Sequence, residues 1–236
     1  SKPAGEGLAL FLELAVELVG PVSPETGLLV NVSDIDAAVR RHAVPVFARE
    51  IREHLRRGEH IPLGLVAQIL WSACDHLRGN LPVHCRIDRI SVKLNPFRKL
   101  TMSAQEPGMV YLSEKFEFAA THTLWNDAFD EQWNRDTFGK CANPTGHGHN
   151  YIVEVAIRMP AADPRPPIGH FQQIVDARLI ELVDHKNLNT DVPEFQQHIA
   201  TVENLARFAW QRLAGQFEPA ALHCVTVWES DRTYCS

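Results

Sequence analysis

Two histidines separated by one residue, His147 and His149, lie in the stretch CANPTGHGHNY, which runs from Cys141 to Tyr151. Side chains two residues apart on an extended segment point to the same side, so both imidazoles can bind one metal ion. A tetrahedral zinc site needs at least one further protein ligand, and a catalytic site leaves its fourth position for water or substrate. The spacing therefore predicts part of a metal site.

A third ligand is predicted in the segment FEFAATHTLW, at His122. Phe118, Ala120 and His122 occupy one face of a predicted strand, which we expect to lie near the strand that follows His149. Three histidines without a second cysteine nearby favour a catalytic zinc over a structural one. Taken separately, the two later histidines are also compatible with a solvated turn, and His122 with a hydrogen-bonded core histidine.

Cys141 is a candidate general base, because it lies six residues before His147 in a loop of Gly, Pro and Asn, with Lys140 adjacent. A neighbouring cation and a nearby zinc both favour the thiolate, and a general base needs a pKa near the working pH. The alternative is a buried small hydrophobe. We assign that alternative to three other cysteines, Cys74, Cys85 and Cys224.

An acid/base pair is predicted where VDHKNLN ends a helix, at Asp184 and His185. An aspartate that accepts a hydrogen bond from an imidazole fixes its tautomer and stabilises its protonated form. Polar residues that simply end a helix are the other interpretation.

Composition bounds the class of protein. With 236 residues, 45% hydrophobic and 22% charged, the chain suits one large domain or two of about 100 to 120 residues. The net charge of −6 and the lack of a basic run argue against a nucleic-acid partner. Five cysteines without paired spacing argue against a secreted disulfide framework. With no long apolar run and no leader pattern after Ser1, we expect a cytoplasmic protein with no membrane partner.

The two halves of the chain share one order of elements. In the first half, alternation predicts a strand over residues 8–18, and apolar spacing predicts helices over residues 32–57, with Ser33 as cap, and 62–77, followed by strands. The second half repeats the order with YIVEVAIRM, helices over residues 171–183 and 201–214, and CVTVWES.

An internal duplication would explain this order. PAGEGLALFLEL from Pro3 aligns without a gap to PTGHGHNYIVEV from Pro144. The alignments set Glu6 and Leu8 opposite His147 and His149, Leu63 opposite Glu203, and Leu94 opposite Glu229. They predict a unit over residues 1–106 that lacks the metal and catalytic residues, and a complete unit over residues 107–236. Ordinary strands and amphipathic helices that align by coincidence are the alternative.

Five segments carry a resemblance to a known family: FEFAATHTL, CANPTGHGHNY, VDHKNLNTDVPEF, TVENLA and VWESDRTYCS. Together, over about residues 109–236, they resemble the 6-pyruvoyltetrahydropterin and 6-carboxytetrahydropterin synthases of the tunnelling fold. The resemblance implies an α+β fold of tandem tunnelling-fold units, each an antiparallel sheet with a helix pair. In that family the units assemble into a barrel with active sites between neighbours, so we expect a homo-oligomer with one zinc per chain.

The resemblance also implies site roles. It implies zinc coordination by His122, His147 and His149, proton abstraction by Cys141, and an acid/base relay of Asp184 and His185. It implies that Glu229 binds the pterin ring, with Glu203 and Thr201 nearby; taken alone, Glu229 is an ordinary polar residue near a strand end. A carboxylate suits that task because its two oxygens can accept from adjacent N–H donors.

The implied substrate is 7,8-dihydroneopterin triphosphate, a pterin that loses triphosphate while its side chain undergoes internal redox to give 6-pyruvoyltetrahydropterin. Zinc acts as a Lewis acid in such chemistry, and no redox cofactor is required. The triphosphate needs cations, which Lys140, Lys186 or Arg232 could supply.

Two other functions stay open. The 6-carboxytetrahydropterin synthases of the queuosine pathway release acetaldehyde as well, and they typically have three residues between the cysteine and the histidine pair. Five intervene here, residues 142–146, which favours the pyruvoyl branch. A non-catalytic pterin-binding protein is supported locally by the first half, where the aligned functional positions are replaced.

Overall fold

The structure, a computed structural model, describes residues 11–236. The chain divides into two compact units. The first contains the described residues up to Leu112 together with Arg158–Arg165, and the second contains Ser113–Ile157 and Pro166–Ser236. None of the helices within residues 11–236 is both long and apolar enough to cross a bilayer.

The first unit is an antiparallel sheet with helices. Its strands are β1 Glu13–Val19, β2 Arg86–Lys93 and β3 Arg98–Ser103, and its helices are α1 Val32–Ala38, α2 Val44–Arg56 and α3 Leu63–Arg78. β2 pairs antiparallel with β1 on one side and with β3 on the other. The strand predicted over residues 8–18 is confirmed from Glu13 onward. Its first residues lie outside the described part of the chain, as do the aligned positions Glu6 and Leu8.

The first predicted helix, over residues 32–57, differs from the structure at two points. Asn31, not Ser33, caps α1, because the Asn31 Oδ1 accepts the Ser33 N–H at 3.0 Å. A π-helical turn, Val39–Ala43, separates α1 from α2. It lies directly before Pro45 at the start of α2, where the missing N–H interrupts the regular hydrogen-bond pattern.

The second unit has the same class of architecture. It contains β4 Met109–His122 from Ser113 onward and β5 His147–Pro160 as far as Ile157. Its other strands are β6 Lys186–Asn187, β7 Ala221–Ser230 and β8 Thr233–Cys235, and its helices are α4 Glu131–Phe138, α5 Ile168–Val175, α6 Glu181–Val183, α7 Leu188–Asp191 and α8 Val202–Leu213. The strand order is β4-β5-β7-β8, and the short β6 pairs parallel with β4. The predicted α+β class is confirmed.

Strand alternation in β5 fixes where the histidine pair points. Tyr151, Val153, Val155 and Ile157 are buried, whereas the residues between them are partly exposed. Phe171 on α5, Phe208 on α8 and Phe217 after α8 are also buried, and the rings of Phe171 and Phe217 have centroids 5.4 Å apart. Because side chains alternate along a strand, His147 and His149 extend this buried face toward the beginning of β5.

The helices α3 and α8 have a similar pattern of buried positions. Pro62 and Thr201 are the N-caps of the two helices. Counted from these caps, the buried positions Leu63, Ala67, Leu70 and Cys74 of α3 match Val202, Ala206, Ala209 and Leu213 of α8. Superposition on these positions places Gly64, rather than Leu63, opposite Glu203.

Candidate metal centre and active site

Four side chains of the second unit converge at the ends of neighbouring strands: His122, His147, His149 and Glu229. His122 ends β4, the two later histidines begin β5, and Glu229 lies near the end of β7. One potential ligand atom from each residue lies within 4.8 Å of those of the others. The structure thus brings together the three histidines predicted as ligands and adds a carboxylate.

The separations in this cluster fit a single metal ion. The His122 Nε2 lies 3.2 Å from the His147 Nε2 and 3.1 Å from the Glu229 Oε1. The same carboxylate oxygen is 3.1 Å from the His149 Nε2. Metal–ligand bonds of about 2.0–2.2 Å in a tetrahedron place the ligand atoms roughly 3.3 Å apart. Nitrogen and carboxylate oxygen are also ligand types that zinc accepts.

The His122 ring is oriented by its other nitrogen. The His122 Nδ1 lies 2.8 Å from the Ala200 carbonyl oxygen, which can only accept, so Nδ1 carries a proton and donates it. In the neutral ring the Nε2 lone pair then faces the cluster, as metal-ligating histidines require. The Tyr151 hydroxyl lies 3.4 Å from the same Nδ1, and the Tyr151 ring stacks on Phe118 with centroids 5.0 Å apart.

The charges of the side chains in the cluster favour the binding of a metal cation. Burial lowers the pKa of His147 and of His149, and so does neighbouring His122, against the opposing charge of Glu229. The pKa of Glu229 is lowered, chiefly by its hydrogen bond with the His122 ring and in spite of burial. Neutral imidazoles beside an ionised carboxylate are the protonation states that metal binding requires.

Two buried nitrogens of the cluster, His147 Nδ1 and His149 Nε2, make no aligned hydrogen bond with residues 11–236. The His149 Nε2 is buried and makes no aligned hydrogen bond, although Glu229 Oε1 lies 3.1 Å away. The His122 Nδ1–H is committed to Ala200. The His122 Nε2 therefore faces the carboxylate oxygen 3.1 Å away and could bind a metal ion together with it.

Two glycines let the start of β5 approach β4 closely. Gly146 has φ +69°, and a Cβ built there would lie 3.0 Å from the His122 carbonyl oxygen. A Cβ on Gly148 would lie 3.2 Å from the Thr121 Cγ2. A side chain at Gly146 would therefore meet both backbone strain and a backbone atom that cannot rotate away.

Substitution of Gly146 by alanine is expected to destabilise the protein by about 1–3 kcal/mol and to weaken metal binding, because His147 follows directly. Urea unfolding and metal titration measure the two effects. Gly169→Ala is the matched control, since Gly169 is helical with no atom within 4 Å of its Cβ position. The control is expected to be neutral or slightly stabilising, and equal behaviour of the two variants would contradict the prediction.

Cys141 lies beside the cluster but outside it. It sits in a 3₁₀ turn, Gly139–Ala142, where its carbonyl accepts the Leu124 N–H at 2.8 Å. The thiol is half-buried, and burial raises its pKa, followed by the negative charge of Glu229. Lys140 is exposed and is not among the groups that shift this pKa, so the expected stabilisation of the thiolate by Lys140 and a nearby zinc stays a prediction.

Metal loading is expected to lower the pKa of Cys141, because a cation in the cluster offsets the charge of Glu229. The thiolate fraction at neutral pH then rises. Iodoacetamide alkylation rates measured against pH, in a background without the half-buried Cys224 and Cys235, report this pKa for the metal-free and loaded protein. Identical profiles would contradict the expectation.

Asp184 and His185 form the predicted pair. The His185 Nδ1 lies 2.9 Å from the Asp184 Oδ2, and the Asp184 Oδ1 accepts the Ala119 N–H at 2.9 Å. This backbone donor is the main cause that lowers the pKa of Asp184, and His185 adds to it. His185 has φ +54° and an imidazole that is 82% exposed. A non-glycine residue in this conformation is typical of functional sites.

Of this pair, His185 lines an open cleft of about 510 Å³. The cleft is lined by Thr121, Gly148, His149, Asn150, His185 and Lys186, among others. His149 thus connects the cluster to the space in front of His185.

Thr201 and Glu203, predicted to lie near Glu229, have other roles in the structure. The Thr201 Oγ1 accepts the Asn204 N–H at 3.3 Å as the N-cap of α8. Glu203 lines a separate groove with Arg207 and Trp210. Sequence reasoning missed the contact of the Ala200 carbonyl with His122 and the place of Glu229 among the potential ligands.

The second unit is an antiparallel sheet with a helix layer, and three histidines and a carboxylate lie at the ends of its strands. This fold and this site define a candidate metalloenzyme of the α+β class. The profile of the 6-pyruvoyl tetrahydropterin synthase family matches residues 111–236. The chain belongs to that family, whose members are lyases.

The chain is also similar to individual proteins that carry the name of this family. The chain is 34% identical over 123 residues to the 6-pyruvoyl tetrahydrobiopterin synthase of Homo sapiens, covering 51% of this chain and 85% of that protein. It is 36% identical over 110 residues to the enzyme of the same name from Dictyostelium discoideum, covering 44% and 78%. The solved 6-pyruvoyl tetrahydropterin synthase of Caenorhabditis elegans is similar with a TM-score of 0.50 and 30% identity, covering 54% of this chain and 93% of that one. The resemblance inferred from the sequence is confirmed.

Proposed function

We propose that the chain is a zinc-dependent 6-pyruvoyltetrahydropterin synthase that acts on 7,8-dihydroneopterin triphosphate and eliminates triphosphate. The convergence of His122, His147 and His149, in a chain that belongs to this family, is the observation that carries the proposal. The near-tetrahedral spacing of nitrogen and oxygen donors supports zinc as the metal.

In this proposal the bound zinc supplies Lewis-acid stabilisation of negative charge on the substrate side chain. Cys141, as thiolate, removes a proton from the side-chain carbon. His185, oriented by Asp184 at 2.9 Å, returns a proton as its imidazolium form. The cleft shared by His149 and His185 supports a substrate that lies between the cluster and the pair.

Glu229 is proposed to bind the pterin ring through its N–H edge. Thr201 and Glu203 are proposed to border the same ring, and the position of Thr201 next to Ala200, which contacts His122, supports this for Thr201. Among the candidate cations for triphosphate, Lys186 is favoured because it lines the cleft with His185.

We further propose that the chain is a tandem of two tunnelling-fold units, a degenerate one over residues 1–106 and the synthase unit over residues 107–236. The matching caps and buried faces of α3 and α8 support duplication. The proposal includes a barrel-forming homo-oligomer with one zinc per chain, a cytoplasmic location, and no nucleic-acid or membrane partner.

Product analysis tests the function. Zinc-loaded protein is incubated with 7,8-dihydroneopterin triphosphate, and the metal-free protein serves as control. We expect 6-pyruvoyltetrahydropterin and triphosphate from the loaded protein alone. Formation of 6-carboxytetrahydropterin and acetaldehyde would instead assign the queuosine-type reaction, and binding without turnover would indicate a pterin-binding protein.

A further inference from the structure

Glu229 occupies the position that a three-histidine site leaves open. Its Oε1 lies 3.1 Å from the His122 Nε2 and 3.1 Å from the His149 Nε2. Three histidines alone would leave the fourth tetrahedral position to water or substrate, as catalytic zinc sites do. With Glu229 included, the protein itself would provide four ligands to a bound metal and leave no position for water or substrate.

The pairing of β7 with β8 is irregular at Glu229, and this irregularity affects the direction in which the Glu229 side chain points. In the β7–β8 pairing, Trp228 is opposite Tyr234 and Ser230 is opposite Thr233, so the register shifts across Glu229. A bulge of this kind leaves the extra residue unpaired and re-aims its side chain, and bulges are common next to active sites. Glu229 can therefore turn with less disruption of the sheet than a residue within a regular ladder.

The carboxylate uses only one of its oxygens in the cluster. Both short contacts are made by Oε1, whereas Oε2 has no hydrogen-bond or ion-pair partner among residues 11–236. The side chain retains 16% exposure. A planar donor edge with two adjacent N–H groups is held best by both oxygens of a carboxylate, and that arrangement competes with the position of Oε1 among the imidazoles.

We propose that Glu229 is an exchangeable ligand: it closes the metal site when no pterin is bound, and it leaves to bind the N–H edge of the pterin. In this exchange Glu229 would move from the histidines to the pterin, and a metal held by the three histidines would then be open to a substrate oxygen. No electron is transferred, and the carboxylate stays ionised throughout. The proposal rests on the pterin substrate of the proposed function, and it adds that substrate binding opens the site.

Cobalt(II) substitution tests the exchange, because the visible spectrum of cobalt reports its coordination. The protein is compared with Glu229→Ala and with the control Asp231→Asn, an exposed carboxylate in the turn between β7 and β8. Neopterin, which lacks the triphosphate, is the probe, and its binding is followed independently by fluorescence. We expect neopterin to change the spectrum of the unmodified protein and of the control. The visible spectrum of cobalt-substituted Glu229→Ala is expected to differ from that of the unmodified protein before neopterin is added. Addition of neopterin should cause no further change in the spectrum of this variant.

Metal affinity provides a second readout. A chelator competition is expected to show weaker cobalt binding by Glu229→Ala, by at least about 10- to 100-fold, the range found when outer-sphere partners of ligands are lost. The three remaining histidines keep the stoichiometry at one per chain. Equal spectra and affinities for Glu229→Ala and the unmodified protein would overturn the proposal, as would an unchanged spectrum at saturating neopterin or a lack of neopterin binding.

The outcomes separate this proposal from the proposed function. A spectral change without any product from dihydroneopterin triphosphate would uphold the exchange and refute the synthase activity. Normal turnover without a spectral change would uphold the activity and refute the exchange.

Discussion

Substitution of His122 by alanine is expected to abolish metal binding and, with it, turnover. His122 is 1% exposed and contacts both His147 and Glu229 through Nε2. Its loss removes the ligand that the Ala200 carbonyl holds in place. We expect metal affinity to fall by more than about 100-fold, because this change removes a ligand rather than a group behind one. Turnover should fall by on the order of 10³-fold, since metal stabilisation of charge is worth several kcal/mol.

Metal analysis after dialysis and steady-state kinetics measure the two losses. His170→Ala is the matched control, since His170 is exposed on α5. Circular dichroism establishes that both variants are folded, because His122 is buried and its removal leaves a cavity. Full metal content in folded His122→Ala would show that the cluster binds metal without this ligand.

The metal centre could be predicted in large part from local patterns. Period-two alternation places Phe118, Ala120 and His122 on one face of β4, and the same rule orients His147 and His149. These inferences depend only on residues a few positions apart. The pairing of Asp184 with His185 is equally local, and the structure contains it at 2.9 Å.

Glu229 could not be placed in the same way. Its position among the potential ligands depends on β7 lying next to β5 and on the register shift in the β7–β8 pairing. Both depend on pairing between strands that are far apart in the sequence, and short sequence patterns do not specify which strands pair. The alternation of Val225, Val227 and Glu229 along β7 is the pattern that the sequence offers. It indicates on which face of the strand Glu229 lies, but not which side chains lie next to it.

Two other features also depend on the folded structure. Adjacency in sequence points to Lys140 as the neighbour that affects Cys141, whereas burial and Glu229, 88 positions further along the chain, raise the pKa of the thiol. Amphipathic spacing tolerates a shift of one residue in the alignment of α3 with α8, and only the N-caps and the buried faces distinguish the two registers.

Substitution of Cys141 by alanine is expected to reduce turnover strongly while leaving the metal in place. Cys141 lies outside the group of four potential ligands, so its loss should not change metal stoichiometry. As the proposed general base it contributes about 10²- to 10⁴-fold to turnover, and we expect kcat to fall by that factor with KM little changed. This separation of metal binding from turnover distinguishes Cys141 from His122.

The measurements are metal content and single-turnover rates of product formation for Cys141→Ala, with Cys224→Ala as the matched half-buried control. Cys141→Ser keeps a polar group of similar size but a far less acidic one, so it should be nearly as impaired if thiolate formation is what matters. Loss of metal from Cys141→Ala would make the thiol a ligand rather than a base. Unchanged turnover would assign proton abstraction to another group, and the exposed imidazole of His185, already paired with Asp184, is the group the cleft offers.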